Sequence, residues 1–252
     1  MVHETVNPTL DIYSRIQKIS EQFNVALFEG QLPPVIFTLQ RGKKSSGYFS
    51  PARWRHIEGE LVGEISVNPI YFANRPIIHL FQTIVHEQCH VWQHTFGNPS
   101  RPGYHNGEWA EKMLKIGLMP SDTGEPGGRK TGQKMSDYVI TGGRFIETCE
   151  HLMGQDDFLP WIDLGAEKDA VYHRTLPGKS VNLTSDCSKL DIALGSFFPG
   201  FDAQNDSLRN VAHKRKIRYC CPMCSTNVWG KSGLKIDCAV CDVKFEELPT
   251  SL

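Results

Sequence analysis

The sequence lacks most of what would tie a protein to a membrane. No eighteen uncharged apolar residues occur in a row, so no segment of its 252 residues reads as a membrane span. The N-terminal MVHETVNPTLDIYSRIQ has no basic stretch leading into an apolar one and does not read as a secretory signal. Excess charge is missing too. The net charge is -1, so no global field calls for a nucleic acid or a lipid surface, and any electrostatic targeting must be local. Internal repeats and low-complexity tracts are also absent. These absences predict a soluble, cytoplasmic chain whose hydrophobic share of 40% and charged share of 22% suit one large domain or two unequal ones.

What is present is cysteine, eight residues of it. In a reducing compartment, paired cysteine spacings point to metal before disulfide.

Helical periodicity opens the chain. Leu10, Tyr13, Ile16, Ile19, Phe23 and Leu27 recur at steps of three or four and predict an amphipathic helix over 9–28, ended by Gly30 and the pair Pro33, Pro34. VIFTLQ, SGYFSPARW and GEISVNP then read as short strands of a small antiparallel sheet. A second helix is expected from near Pro76 to just before Gly97. A third, GEWAEKMLKI, has Asn106 as its N-cap, Trp109, Met113 and Ile116 on one face, and Gly117 as its stop. Helices and strands are segregated, so the class is α+β. Residues 120–145 are Gly-rich and basic without a period, and 146–210 mix a candidate helix, FIETCEHLMG, with polar stretches.

Within the second helix, residues 86–94 read HEQCHVWQH. At 100° per residue, Ile77, Leu80, Phe81, Ile84, Val85, Cys89, Trp92 and Phe96 occupy about half the circumference. His86 and His90 lie about 40° apart on the other side and about 6 Å apart along the axis, a spacing that lets two imidazoles converge on one zinc ion. Glu87 follows the first of them. That is the HExxH arrangement, two ligands with a general base beside an activated water. His94 stands about 12 Å from His86 along the axis and is expected to be a bystander, like His79. Cys89, at the edge of the apolar face, reads as a buried thiol.

A catalytic zinc site needs a third protein ligand and an open position. The continuation HExxHxxGxxH fails, because Gln93 replaces its glycine and Phe96 its histidine. Three candidates remain nearby: His105, Glu108 and Glu111. The turn residues Gly97, Pro99, Pro102 and Gly103 let the chain fold back, which places His105 well.

HEQCH, the fifteen-residue step from His90 to His105, and the following Asn-Gly-Glu-Trp109 with Met113 resemble the SprT-like metalloproteases. That family includes the Spartan-type proteases that clear DNA–protein crosslinks. The resemblance takes in the N-terminal helix, GEISVNP and a C-terminal zinc ribbon, and covers roughly 9–120 and 216–247, while the long segment 121–212 departs from a compact member. It implies a minimal zincin-like α+β domain with the HExxH helix beside the small sheet. It further implies His86, His90 and His105 as ligands of a catalytic zinc, Glu87 as catalytic base and a protein substrate. The domain boundaries expected on this basis are 6–145 for the SprT-like domain, 146–212 for an insertion or linker, and 213–252 for a zinc ribbon with a basic lead-in.

The ribbon is also legible from spacing. Cys221-Pro-Met-Cys224 and Cys238-Ala-Val-Cys241 are two CxxC knuckles thirteen residues apart, a pattern that closes a four-thiolate structural zinc site around a hairpin. Cys149 and Cys187 are expected to be free thiols, and Cys220 breaks the knuckle spacing. Ahead of the first knuckle, Lys214, Arg215, Lys216 and Arg218 form a basic cluster able to neutralise phosphates, with Tyr219 or Trp229 available to stack on an unpaired base of single-stranded or damaged DNA. Arg129, Lys130 and Lys134 form a second, smaller basic group. Tyr104 and Tyr138 are the candidates for oxyanion donor.

The expected function is a zinc-dependent endopeptidase, DNA-associated through its ribbon. The alternatives are a non-catalytic DNA-binding or transcription-associated protein with two structural zincs, and a metal-dependent amidase of small molecules. Glu87 argues against the first, since a structural site needs no carboxylate there; a closed pocket instead of an open cleft would favour the second.

Overall fold

The computed structural model describes residues 7–42, 45–154, 159–164, 190–198, 217–231 and 233–248. The chain divides into two compact units, residues 1–207 and 208–252.

In the first unit, helix α1 (Pro8–Phe28) starts where the Asn7 side chain accepts from the backbone N–H groups of Thr9 and Leu10. It ends in left-handed residues Glu29 (φ 61°) and Gly30 (φ 68°). Ile16, Ile19, Phe23 and Leu27 of its apolar stripe are buried, whereas Leu10 is 67% exposed because the first turn extends past the core. Strands β1 (Val35–Leu39), β2 (Gly47–Arg55) and β3 (Leu61–Val67) form a sheet in the order β1-β3-β2.

The expected antiparallel pairing holds for β2 with β3; β1 joins β3 in parallel, so the sheet is mixed. Nothing local in VIFTL encodes that direction, which follows from β1 packing against α1 on the far side of β3 from β2. The edge strand β2 carries a bulge between Ser50 and Trp54, where Ala52 takes a φ of 47°. On the outer face, the buried Glu64 carboxylate accepts from Thr38, Gln40, Tyr48 and Trp54, which ties all three strands together.

Helix α2 (Ile77–Phe96) crosses the sheet, followed by α3 (Gly107–Ile116), a hairpin of β4 (Leu118–Ser121) and β5 (Ser136–Val139), and α4 (Arg144–Gly154). Cys89 and the aliphatic residues Ile77, Leu80, Ile84 and Val85 are buried as the periodicity predicts, but Phe96, in the last turn, is half exposed. Phe23 of α1 meets Phe81 of α2 edge-on at 5.5 Å and stacks on Phe145 of α4 at 5.8 Å.

A boundary at residue 145 therefore cuts α4 near its start. Ile146, Cys149, Leu152 and Met153 belong to the same core, as do Leu159, Leu190 and Leu194. The segment 190–198 also pairs with the start of α2. Pro76 bridges to Ala193, and the carbonyl of Ile192 accepts the N–H of Ile77, an end that has no side-chain cap. Among the described residues no helix is long and apolar enough to cross a membrane.

In the second unit, β6 (Ile217–Cys220) is the centre of a sheet between β7 (Asn227–Gly230) and β10 (Glu246–Leu248), beside a two-stranded ladder of β8 (Asp237–Cys238) and β9 (Val243–Lys244). Tyr219 is buried, and its hydroxyl donates to the carbonyl of Lys231.

Candidate metal centres

His86 and His90 project from one side of α2, four residues apart, as helical geometry requires. His105 arrives from the loop between α2 and α3, where its backbone N–H and C=O pair with Gly132. The loop is drawn in by Asn106, whose Oδ1 accepts from Trp109 N at 3.1 Å, capping α3, and from Gln93 Nε2 of α2 at 2.6 Å. Gly117, at φ 97°, closes α3 as its left-handed cap.

Nε2 of His105 lies 3.2 Å from that of His86 and 3.1 Å from that of His90. Trp109 is the floor of the cluster, with its ring centroid 4.9 Å from His86, 5.4 Å from His90 and 4.4 Å from His105. Nδ1 of His105 is 3.2 Å from the carbonyl oxygen of Gly132, which only accepts, so the proton sits on Nδ1 and the Nε2 lone pair faces the other rings.

Lone pairs converging at this distance repel unless a cation lies among them. Three nitrogens at about 2.0–2.1 Å from one tetrahedral ion stand about 3.3 Å apart, so the residues fit a zinc ion. The competing ligands are excluded by geometry. The Glu108 carboxylate accepts from Gln93 and from the backbone of Asn98, and Glu111 is exposed outside the cluster.

Electrostatics separate the three imidazoles. Burial, reinforced by the neighbouring histidines, keeps His90 well below the usual range and brings His105 down to about 4, so both are neutral donors at neutral pH. Burial presses on His86 as well, but the hydrogen bond to Asp137 and the charges of Glu87 and Asp137 outweigh it and raise it. Glu87 is 6% exposed, and burial lifts its carboxyl to about 7 against the pull of His86 and a backbone N–H donated by Phe49. A carboxylate near neutrality is suited to take up and release a proton.

The cluster lines a cleft of about 1010 Å³ between α2, the edge strand β2 and the loops around residues 99–105 and 133–137. His79 and His94 mark its extent along α2, about 22 Å at 1.5 Å per residue. An extended peptide of about seven residues has that length. His94 packs edge-on against Phe49 at 6.0 Å and lies outside the three-histidine cluster. Tyr104 lines the cleft; Tyr138 does not. Of the smaller basic group, Arg129 is spent on an ion pair with Asp122 at 2.7 Å, whereas Lys134 lines the cleft.

Two contacts were invisible in the sequence, Asp137 on His86 and Gly132 on His105. They lie in the aperiodic Gly-rich stretch, where no periodicity sets Gly132 or Asp137 apart from its neighbours.

In the second unit, Sγ atoms of Cys221, Cys224, Cys238 and Cys241 all lie within 4.8 Å of one another, and the pair Cys224–Cys238 is 3.8 Å apart. Thiolates about 2.3 Å from a tetrahedral zinc are separated by about 3.8 Å, whereas a disulfide needs about 2.05 Å. Thr226, its Oγ1 3.2 Å from Cys224 Sγ, lowers that thiol to about 6. Cys149 is buried and forms no disulfide, and Cys220 stands outside the cluster. Cys187, Lys214, Arg215 and Lys216 lie outside the described residues. Arg218 is exposed and faces Trp229 across the β6–β7 ladder. With Tyr219 buried and Trp229 60% exposed, the tryptophan is the aromatic available for stacking.

Residues 16–127 match the SprT-like family. An uncharacterised protein encoded in the mucB 3′ region of Salmonella typhimurium is 43% identical over 47 residues, which are 19% of this chain and 64% of that protein. The chain thus spans just under two thirds of the length of this curated relative. No solved structure matches.

Proposed function

Residues 16–127 form a SprT-like domain, and from this premise we propose that the protein is a zinc-dependent endopeptidase. The observation that carries the reading is the buried Glu87 carboxyl beside three imidazole nitrogens converging on one point in a cleft long enough for a peptide strand. A site with a purely structural task has no use for a carboxyl raised to about 7 at that place. A cleft at the upper end of the size range of small-molecule pockets, about 300–1,000 Å³, favours a polymer over a small amide.

His86, His90 and His105 hold the metal, and Glu87 serves as general base. Bound zinc supplies Lewis acidity, which lowers the pKa of water and polarises the scissile carbonyl. Glu87 takes the proton of the attacking water and delivers it to the departing amine, a transfer suited to a group titrating near neutrality. Phe49 N–H holds the carboxylate against β2 and thereby sets its orientation. Cys221, Cys224, Cys238 and Cys241 hold a second, structural zinc in a ribbon. Such a staple suits a unit of about forty residues, whose core is small.

The DNA association is part of the same proposal. Its support is the basic cluster Lys214, Arg215, Lys216 and Arg218 leading into the ribbon, with Trp229 exposed opposite Arg218. Phosphate neutralisation by the cations and stacking on the indole give binding to unpaired strands without sequence preference. The natural substrate on this reading is a protein bound or crosslinked to DNA, and the protein acts in the cytoplasm.

The test is to incubate the zinc-loaded protein with a DNA-binding protein, with and without single-stranded DNA, beside Glu87→Gln. Cleavage by wild type alone, faster with DNA, is the expected result. Equal cleavage by the variant sinks the mechanism, and DNA-independent cleavage removes the role of the ribbon.

A further inference from the structure

We propose that Asp137, held by Gln82, is a positioning residue for the metal centre, so that the functional unit extends through the β4–β5 hairpin. The proposal rests on the zinc reading above. Asp137 lies ten residues beyond the span that matches the family.

Its side chain is 8% exposed, and both carboxylate oxygens are occupied. Oδ2 is 3.1 Å from His86 Nδ1, and Oδ1 accepts from Gln82 Nε2 at 2.9 Å. Gln82 precedes His86 by one helical turn, so the two contacts reach Asp137 from the same face of α2. An ionised carboxylate accepts and does not donate, so the His86 Nδ1 facing it carries the proton. The lone pair is thereby confined to Nε2, the atom that faces His105.

The two histidines of this pair are held differently. Where Gly132 offers His105 a neutral carbonyl, Asp137 offers His86 a negative charge, which makes the imidazole a stronger donor as well as fixing its plane. Anchoring the hairpin does not require this arrangement. Gln82 Nε2 also approaches the backbone carbonyl of Asp137, at 3.4 Å, and β4 pairs with β5 through four residues. The carboxylate adds the contact to His86.

Cobalt titration of the metal-free 252-residue chain separates the two sites. A four-thiolate site gives intense charge-transfer bands, while a three-histidine site gives only weak visible bands. Wild type is expected to bind two ions. Asp137→Ala is expected to weaken the histidine site roughly 10- to 100-fold and leave the thiolate site unchanged. Asp137→Asn keeps an acceptor oxygen without the charge and is expected to fall between them. Melting of the metal-free variants reports folding. Should the alanine variant not fold, the asparagine variant decides. Histidine-site affinity within twofold of wild type in a folded variant overturns the proposal. If wild type itself binds metal only at the thiolates, the zinc reading fails and the proposal fails with it, a result distinct from loss of the Asp137 role alone.

Discussion

Nε2 of His105 lies 3.2 Å from Nε2 of His86, although nineteen residues and the end of a helix separate them. The approach depends on Asn106, which caps α3 and receives Gln93 from α2 at 2.6 Å, so the loop between the helices is pinned immediately beside the histidine. His94 is closer in sequence to His90 but points at Phe49.

His105→Ala is therefore expected to abolish zinc at the histidine site, lowering metal content from two ions to one, while His94→Ala retains both. Metal analysis of the dialysed proteins measures this. Two ions in the His105 variant would assign the third ligand elsewhere.

Loss of the Asn106 side chain is expected to cost about 1–2 kcal/mol, since it removes a helix cap and the acceptor for Gln93. Denaturant melts of Asn106→Ala with its metal removed give the stability, and an unchanged midpoint would show the cap to be dispensable.

Glu87 carries a pH signature. Its folded value of about 7 stands above the unfolded value of about 4.3. The folded state therefore binds more protons in that window, and the stability this group contributes, complete below pH 4.3, is lost as pH rises through 7. Metal-free Glu87→Gln has no charge to bury and is expected to gain in Tm over wild type as pH goes from 5 to 8. A constant difference contradicts the burial argument. With zinc restored, the same variant is expected to lose roughly 100- to 10,000-fold in kcat.

Gly47 is where β2 lies against α2. A Cβ there would come within 2.7 Å of Thr83 Cγ2 and 2.8 Å of the Ser66 carbonyl oxygen, beside the Cγ of Glu87. Gly47→Ala is expected to cost about 1–3 kcal/mol by overpacking and to lower activity by shifting Phe49 N–H away from Glu87. Thermal melts and peptide cleavage by the same preparation test both effects. Wild-type activity would show that β2 has freedom to move.

Removing zinc with a chelator is expected to unfold residues 217–248, with faster proteolysis there, and Cys238→Ser to do so even in excess zinc. Protection of that segment in metal-free protein would mean that its hydrogen bonds suffice without a staple.

The three helices around the site were legible because their signals are local. Ile16, Ile19 and Phe23 repeat at helical intervals, and Asn106 and Gly117 bracket α3 as an N-cap and a left-handed stop. His86, Glu87 and His90 follow from the same periodicity. The contacts that organise the site are long-range. Asp137 meets His86 across fifty-one residues, from a four-residue strand too short to show alternation. The direction of β1 and the burial of Leu190 and Leu194 were hidden for the same reason, because partners distant in sequence decide them. Tyr219 and Trp229 looked equivalent as stacking groups; their strand positions place one in the core of the ribbon and the other outside.

The bridge between Pro76 and Ala193 sets an order of events during synthesis. The helix bearing His86, Glu87 and His90 leaves the ribosome about a hundred residues before the segment that accepts the N–H of Ile77. At about 5–20 residues per second, the delay is on the order of ten seconds. Throughout that interval the N–H of Ile77 lacks this partner, although every residue that lines the cleft, the last of them Asp137, has already been made.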